Sequence, residues 1–434
     1  MTQTQRYPTE VQTWIQQAEQ ALQSGNRPQA EALMARVRNA APEHPAILNA
    51  TAVSEMQRAN WAEARSLLER AVAQEPENAR LWMNLAAALR GLGLVDDEMR
   101  ALQRVLEIEP RHLAALLHKG ALQERQGNAK AAAKTYNNAL QTISASTPLP
   151  GPLRAMVQRA IEVTNANDAA LADHLAAKLH ELRQEYAAED QSRFDHCIDT
   201  VLNRRRIYTP RPTFLYYPKV PALEFYPREM FAWLPAVEAA TADIRAEFER
   251  VFAEDADQLE PYVKHPKGIP LDQWAELNHS RKWSVFYLWR DGVPQHEHLE
   301  RCPRTAEVLK QLPMHDVPGY APTAFFSILD AKSHIPPHTG VTNTRVITHV
   351  PLVVPEGCRF RVGSETREWQ PGTAWVFDDS IEHEAWNDSG VPRAILIFDV
   401  WNPFLSQAER ALLSKAVQEM KQFYQDQAPL SGAI

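Results

Sequence analysis

The sequence predicts a multidomain α + β protein, with a helical N-terminal half and a largely β-stranded C-terminal half. From Pro8 to about Ser144 the chain is rich in Ala, Leu, Gln, Glu and Arg, and its apolar residues recur at helical spacing. From about Tyr208 it becomes rich in Pro, Trp, Phe, Tyr and Val, which favour strands and turns. We therefore predict three regions: a repeat domain at 8–146, a helical cap and linker at 147–207, and a β domain with a C-terminal helix at 208–425.

The N-terminal half repeats with a period of 34 residues, shown by Pro42, Pro76 and Pro110. Small residues recur where two helices would touch, and a proline follows the second helix of each pair. This pattern is typical of tetratricopeptide (TPR) repeats. We predict three full repeats from about Pro45 to Ser144 and a partial one before them, forming an α-solenoid whose groove binds a peptide or protein. Glu98 occupies a small-residue position, so we expect its repeat to be looser.

Composition excludes several functional classes. The net charge of −8 argues against a general nucleic-acid binder, and we interpret Arg204, Arg205 and Arg206 as a solvated helix end before a Pro-rich linker. No apolar run approaches the roughly 18 residues of a membrane span, and the first residues lack the pattern of a secretory signal. Three scattered cysteines give neither a disulfide framework nor zinc-ligand spacing. These features favour a cytoplasmic protein.

The C-terminal half contains short segments of β-branched and aromatic residues that are separated by turn clusters. Their spacing of roughly 8–12 residues indicates a sandwich or barrel, and a double-stranded β-helix of the jelly-roll or cupin kind is the natural candidate. A capping box of Ser406 and Glu409 opens a final amphipathic helix. The predicted strands are 283–289, 324–329, 345–354, 358–362, 374–377 and 393–400.

Three histidines, His338, His349 and His383, lie on or beside these strands. The 45 residues between the first and the last suit two metal ligands on neighbouring strands, as for Fe(II) in oxygenases. The usual carboxylate ligand, two residues after the first histidine, is replaced by Gly340. The spacing alone therefore leaves a two-histidine site or structural histidines. Arg393, at the head of an apolar strand, offers a bidentate fork to a dicarboxylate, or else forms a surface ion pair.

The run from Phe326 to Pro403 resembles the aspartyl/asparaginyl β-hydroxylase family, which are Fe(II)- and 2-oxoglutarate-dependent oxygenases. The motifs PHTGxTN, EGC, ETxxW, FDDSxEHExW and DVWxP carry the resemblance. The family has a two-histidine iron site without a carboxylate ligand, so Gly340 agrees with it. The resemblance implies that His338 and His383 bind iron and that Asp379 orients iron-bound water.

The resemblance also implies how 2-oxoglutarate would be held. Arg393 and Ser327 would bind its distal carboxylate, and His349 would contact the carboxylate nearer the metal. Trp283 resembles a tryptophan that lines the cosubstrate pocket. The animal enzymes carry a second Arg where this chain has Ile347, so the substrate side of the site is expected to differ.

The interpretation is a 2-oxoglutarate-dependent dioxygenase that uses Fe(II) and O2 to hydroxylate a C–H bond. We expect its substrate to be the β-carbon of Asp or Asn, or of a similar residue, in a peptide or protein recruited by the TPR groove. One alternative is a hydroxylase of lipid A acyl chains, and another is a non-catalytic TPR adaptor whose barrel binds a ligand. His296 and His298 form an HxH pattern that we interpret as solvated.

Overall fold

The computed structural model describes residues 7–144, 149–254 and 258–424. The chain forms two compact units, which divide between Asp195 and His196. The predicted boundary between residues 146 and 147 and the predicted end at residue 425 lie outside the described residues. No helix in the described ranges is long and apolar enough to cross a membrane.

The first unit consists of helices that pack in successive pairs, as the 34-residue period predicts. A long helix follows them and packs on the last pair through Val157 and Ala160. The helices are α1 (Thr9–Gln23), α2 (Arg27–Ala40), α3 (Pro45–Gln57), α4 (Trp61–Gln74), α5 (Ala79–Gly91), α6 (Val95–Ile108), α7 (Leu113–Arg125), α8 (Ala129–Leu140) and α9 (Gly151–Glu185). Helix α10 (Ser192–Val201) spans the division between the units.

Side-chain size explains the close packing of these helices. A Cβ on Gly91 would overlap the ring of Trp61, and a Cβ on Gly120 would overlap the ring of Tyr136. Each aromatic ring therefore needs a glycine opposite it. Glu98 is only 1% exposed at its small-residue position, where its Oε2 accepts a hydrogen bond from Nη2 of Arg125 at 2.6 Å. An ion pair to the next repeat thus accommodates the acidic side chain.

The second unit contains two antiparallel sheets, which confirms the predicted fold class. The larger sheet has the order β1-β2-β4-β11-β6-β9, with β3 paired to β2, and the smaller has the order β5-β10-β7-β8. The strands are β1 (Glu260–Pro261), β2 (Trp283–Arg290), β3 (Val293–Pro294), β4 (Ala324–Leu329), β5 (Ser333–His338), β6 (Arg345–Val353), β7 (Cys358–Val362), β8 (Glu365–Glu368), β9 (Trp375–Phe377), β10 (His383–Asn387) and β11 (Arg393–Trp401).

The central strands β4, β6 and β11 of the larger sheet are buried on both faces, so their sequences are largely apolar rather than alternating. Along β4, Phe326 and Ile328 pack in a core with the helices, whereas Leu329 belongs to the core shared by the two sheets. Because side chains alternate along a strand, Ser327 lies on the same face as Leu329, between the sheets. The covering helices are α11 (Leu234–Ala239), α12 (Thr241–Glu254), α13 (His296–Arg301) and α14 (Pro303–Lys310).

The six predicted strands are present with shifts of one residue at some ends, but several further strands were missed. β5 contains Pro336 and Pro337 and lies at a sheet edge, where a missing N–H is tolerated. The capping box is confirmed: Ser406 N–H donates to Oε2 of Glu409 at 2.7 Å, ahead of α15 (Gln407–Tyr424).

The Pro-rich segment before the strands is irregular, as expected, but it is tied to the site-bearing loops. The Thr213 N–H donates to the carbonyl of Gly340 at 3.0 Å, and the Phe214 N–H donates to that of Val341 at 3.0 Å. The Arg211 N–H donates to the Ser380 carbonyl at 2.7 Å. This segment therefore supports the backbone on both sides of the candidate site.

Candidate active site

The two histidines predicted to bind metal face each other across neighbouring strands. His338 ends β5 and His383 begins β10, and the two residues are paired in the sheet register. Their ring centroids are 4.1 Å apart. The register shifts between His383 and Ala385, so a β-bulge lies at the second histidine, as is common beside active sites.

Both histidines have the tautomer that a metal ligand needs. Nδ1 of His338 lies 2.8 Å from the carbonyl of Pro336, and Nδ1 of His383 lies 2.9 Å from that of Ile381. A carbonyl can only accept, so each Nδ1 carries the proton and each Nε2 keeps a free lone pair. Burial lowers the pKa of His338 to about 3 and that of His383 to about 4, so both rings are neutral at neutral pH.

Asp379 lies against Gly340, two residues after the first histidine. A Cβ on Gly340 would overlap the Asp379 carboxylate, so glycine is required here. Oδ2 of Asp379 is 3.3 Å from Nη2 of Arg345, while its buried Oδ1 has no hydrogen-bond partner within the described residues. No group of three or more His, Cys, Asp or Glu side chains in that part of the chain could hold a metal. Asp379 therefore lies near the histidine pair with one carboxylate oxygen against Arg345 and the other without a partner.

Arg393 is a buried cation with free hydrogen-bond donors. Its side chain is only 1% exposed, and its Nε and Nη1 have no partner within the described parts of the chain. Burial lowers its pKa to about 10, so it remains charged at neutral pH. Its guanidinium lies 4.8 Å from the ring centroid of Trp369. A buried guanidinium whose N–H donors lack partners indicates a site for an anion.

Ser327, Trp283 and His349 surround the same space. The indole Nε1 of Trp283 donates to Oγ of Ser327 at 3.0 Å, which leaves the serine O–H free to donate elsewhere. His349 is buried, its Nδ1 has no partner among the described residues, and burial lowers its pKa well below the usual range.

One cavity of about 570 Å³ joins these side chains. The structure therefore brings all the predicted site residues to a single cavity. The predicted residues among its lining are Trp283, Ser327, His338, His349, Asp379, His383 and Arg393.

Sequence reasoning missed two features of this site. Trp274, in a short 3₁₀ turn, packs edge-on against His338 with centroids 5.1 Å apart, and no motif signalled it. Asp399 pairs with Arg345 at 2.7 Å, and the DVW motif that contains Asp399 gave no hint of this partner.

The expectation for the HxH histidines needs one correction. His298 is half-buried, stacks on Phe286 with centroids 3.9 Å apart and lies 2.7 Å from the Tyr287 carbonyl through Nδ1. It was expected to be solvated, but it packs against the strand that α13 covers. His296 is exposed.

Comparisons with known proteins identify the families that this chain resembles. The model of the family described as aspartyl/asparaginyl beta-hydroxylase matches residues 238–403, and the tetratricopeptide repeat model matches 49–110 and 99–148. The human protein named aspartyl/asparaginyl beta-hydroxylase is 33% identical over 183 residues, which are 42% of this chain and 24% of that protein. The ornithine lipid ester-linked acyl 2-hydroxylase of Rhizobium tropici is 31% identical over 199 residues, 45% of this chain and 66% of that protein.

Among solved structures, the crystal structure of MamA protein has a TM-score of 0.28 and 18% identity, covering 41% of this chain and 95% of that one. The match to the human hydroxylase spans about a quarter of that protein, and the match to the bacterial one about two thirds. Residues 238–403 are therefore a hydroxylase domain of the aspartyl/asparaginyl β-hydroxylase family, in a chain that also carries tetratricopeptide repeats.

Proposed function

We propose that this chain is an Fe(II)- and 2-oxoglutarate-dependent dioxygenase that hydroxylates a C–H bond. The observation that carries the proposal is the buried, unpartnered Arg393 in the same cavity as a pair of neutral histidines. A metal site alone would not need this cation. A dicarboxylate that binds the metal at one end and Arg393 at the other would account for both features.

The residues present fit iron. His338 and His383 would hold it through Nε2, since their Nδ1 atoms donate to backbone carbonyls. When bound with 2-oxoglutarate, iron supplies the O2 chemistry that oxidises an unactivated C–H bond. The free Oδ1 of Asp379 would accept a hydrogen bond from a water on the metal.

The residues present also fit 2-oxoglutarate. Arg393 and the free hydroxyl of Ser327 would donate to its distal carboxylate, and Trp283 would hold that serine in place. His349 would contact the carboxylate nearer the metal. Apolar side chains from both sheets line the same cavity, including Ile335, Phe360, Phe377 and Ile395. They lower the local dielectric, which strengthens these charged contacts and keeps water out.

We propose as first substrate class the β-carbon of Asp, Asn or a similar residue in a peptide or protein bound by the TPR repeats. The name of the human relative and the peptide-binding character of such repeats support this choice.

A second candidate is an acyl chain, which the bacterial relative's name and two observations favour. Ile347 lines the cavity, as do Val341, Phe325 and Ile397. Arg345, a cation that also lines the cavity, already pairs with two carboxylates of this chain. These apolar lining side chains would accommodate an uncharged acyl chain.

An anaerobic titration of metal-free protein with Fe(II) and then 2-oxoglutarate tests the cofactor assignment. We expect a weak visible charge-transfer band that His383→Ala abolishes and that His298→Ala, a half-buried histidine outside the cavity, leaves intact. No band in the unaltered protein would contradict the proposal and favour the adaptor alternative. Succinate formation with Asp- and Asn-containing peptides, compared with acyl-chain lipids, would then decide between the substrate classes.

A further inference from the structure

We propose that Asp399 and Arg345 are positioning residues that hold the Asp379 carboxylate beside the histidine pair, an inference that rests on the proposed iron site. They would act on the metal only through Asp379. The three side chains form one chain of ion pairs from β11, through the start of β6, to the loop before β10.

Asp399 is the fixed end of this series of ion pairs. Its Oδ1 accepts a hydrogen bond from the Thr323 backbone N–H at 3.0 Å, and its Oδ2 accepts one from Nη1 of Arg345 at 2.7 Å. Asp399 is also only 1% exposed. Both of its oxygens are therefore committed, and the backbone before β4 sets its orientation.

Arg345 transmits this orientation because its guanidinium is planar and its two terminal nitrogens serve different carboxylates. Nη1 contacts Asp399, while Nη2 contacts Oδ2 of Asp379 at 3.3 Å. Burial opposes the charge on Arg345, but Asp379 and Asp399 outweigh burial and raise its pKa. The bridging cation therefore stays protonated throughout the pH range of interest.

Asp379 is the end that faces the site. Arg345 contacts one of its oxygens, and Gly340 leaves the room in which its carboxylate lies. The other oxygen, Oδ1, is buried and has no partner within the described residues. A buried acceptor left free is costly unless it gains a partner. A water bound to a metal at His338 and His383 would supply that partner.

The charges support the same role. Two carboxylates share one guanidinium beside the histidine pair, so acidic groups outnumber basic ones there. That excess favours a divalent cation at a site whose imidazole ligands bring no negative charge. An ion-pair chain that served folding alone would not require Oδ1 of Asp379 to remain unpaired.

A double-mutant cycle on the metal-free full-length chain tests this inference, with Co(II) alone as the probe and its dissociation constant as the readout. The variants are Asp379→Asn, Asp399→Asn and the double variant. Asn at 399 keeps an oxygen for the Thr323 N–H, but it replaces the oxygen that accepts from Arg345 with an N–H donor, so the variant loses the ion pair. The matched control is Asp388→Asn, which removes a carboxylate from an exposed ion pair with Arg359.

We expect Asp379→Asn to weaken Co(II) binding about 10- to 100-fold and Asp399→Asn to weaken it about tenfold. The double variant should bind no more weakly than Asp379→Asn alone, because Asp399 acts through Asp379. Asp388→Asn should leave the dissociation constant within about twofold of the unaltered value.

Losses that multiply in the double variant, or an Asp399→Asn variant that binds Co(II) as well as the unaltered chain, would overturn the positioning role and leave the proposed iron site standing. An unaltered chain that binds no Co(II) would overturn both. If Asp399→Asn fails to fold, Arg345→Lys replaces it in the cycle. Lys keeps the charge but cannot contact both carboxylates. The weakening of Co(II) binding that Arg345→Lys causes should therefore also disappear in the Asp379→Asn background.

Discussion

Arg393 gives the sharpest test of the site, because its replacement should stabilise the metal-free protein while abolishing the proposed binding of 2-oxoglutarate. The guanidinium is buried, and no carboxylate within the described residues lies within ion-pair distance of it. Arg393→Met removes the charge and keeps an unbranched side chain that fills the same stem volume. A mutation of a buried residue to a different size and polarity would ordinarily destabilise a protein.

The expected gain in stability follows from the pKa of Arg393, which burial lowers to about 10, well below the ordinary value of an arginine. Because each pKa unit corresponds to about 1.4 kcal/mol, this lowering means that burial of the charge costs about 3 kcal/mol. The lost contact with the Trp369 ring offsets about 1 kcal/mol of this gain. We therefore expect Arg393→Met to raise the free energy of unfolding by about 2 kcal/mol at neutral pH.

The same pKa also fixes the sign of this stability change and the pH range over which it is expected. The folded-state pKa lies below the unfolded one, so the cost of the charge is fully present below pH 10. It disappears as the pH rises above that value towards the ordinary pKa of an arginine. The gain from Arg393→Met should consequently be constant across the neutral range.

Urea unfolding followed by tryptophan fluorescence measures this gain. Of the 11 tryptophans, only Trp14, Trp61 and Trp82 precede the division between the units, so the signal reports mainly on the second unit. Arg345→Met is the matched control. It leaves two buried carboxylates without their cation, and we expect it to lose about 3–5 kcal/mol.

The same variant should fail to bind 2-oxoglutarate. Removal of one partner of a buried charged contact costs about 2–5 kcal/mol, which is roughly 30-fold or more in affinity. Addition of Mn(II) and 2-oxoglutarate should therefore stabilise the unaltered chain but not Arg393→Met. An Arg393→Met variant that is less stable than the unaltered chain without ligand would refute the reasoning, since the arginine would then be a satisfied structural residue.

Three further outcomes are expected. Gly340→Ala should displace the Asp379 carboxylate, lower the free energy of unfolding by about 1–3 kcal/mol and weaken Co(II) binding, as urea unfolding and metal titration would show; unchanged metal binding would contradict the packing argument. His383 has a folded pKa of about 4 against 6.5 unfolded, so metal-free protein should lose up to about 3 kcal/mol as the pH falls from 6.5 towards 4. His383→Gln should make that dependence shallower but not abolish it, because burial also lowers the pKa of His338, to about 3; an equally steep profile in this variant would assign the dependence to other groups. Gly91→Ala should destabilise the first unit by about 1–3 kcal/mol because its Cβ overlaps the Trp61 ring, and a neutral effect in thermal unfolding would show that the ring can move.

The sequence was most informative where a strand is buried on both faces. The run AFFSIL coincides with β4 at Ala324–Leu329, because an uninterrupted apolar run between turn signals has few other uses. β5 and β8 escaped prediction for opposite reasons. Two prolines interrupt β5, which tolerates them at a sheet edge. The short strand β8 is the polar run ETRE, whose alternate residues are exposed to solvent.

At the site, sequence patterns located the side chains but not their partnerships. The spacing of the motifs predicted that His338 and His383 lie on neighbouring strands, and the two residues are paired in the register of β5 and β10. The pair between Arg345 and Asp399 joins residues 54 positions apart, and no period or motif links them. Trp274 lies in an irregular segment, so its packing on His338 depends on how that segment folds back rather than on any repeating pattern.

The position of the carboxylate at 379 rather than 340 has a chemical consequence. An acidic side chain at 340 would lie on the same chain segment as His338 and would occupy a coordination position on the metal. Asp379 instead fills the space above Gly340 and is paired with Arg345, so under the proposed function it would lie beside the metal without acting as a third ligand. Two neutral imidazoles would then leave more of the coordination sphere of the proposed iron open to 2-oxoglutarate and O2 than a three-ligand site would. The ion pairs that join Asp379 to Arg345 and Arg345 to Asp399 would keep this carboxylate close to the metal without binding it.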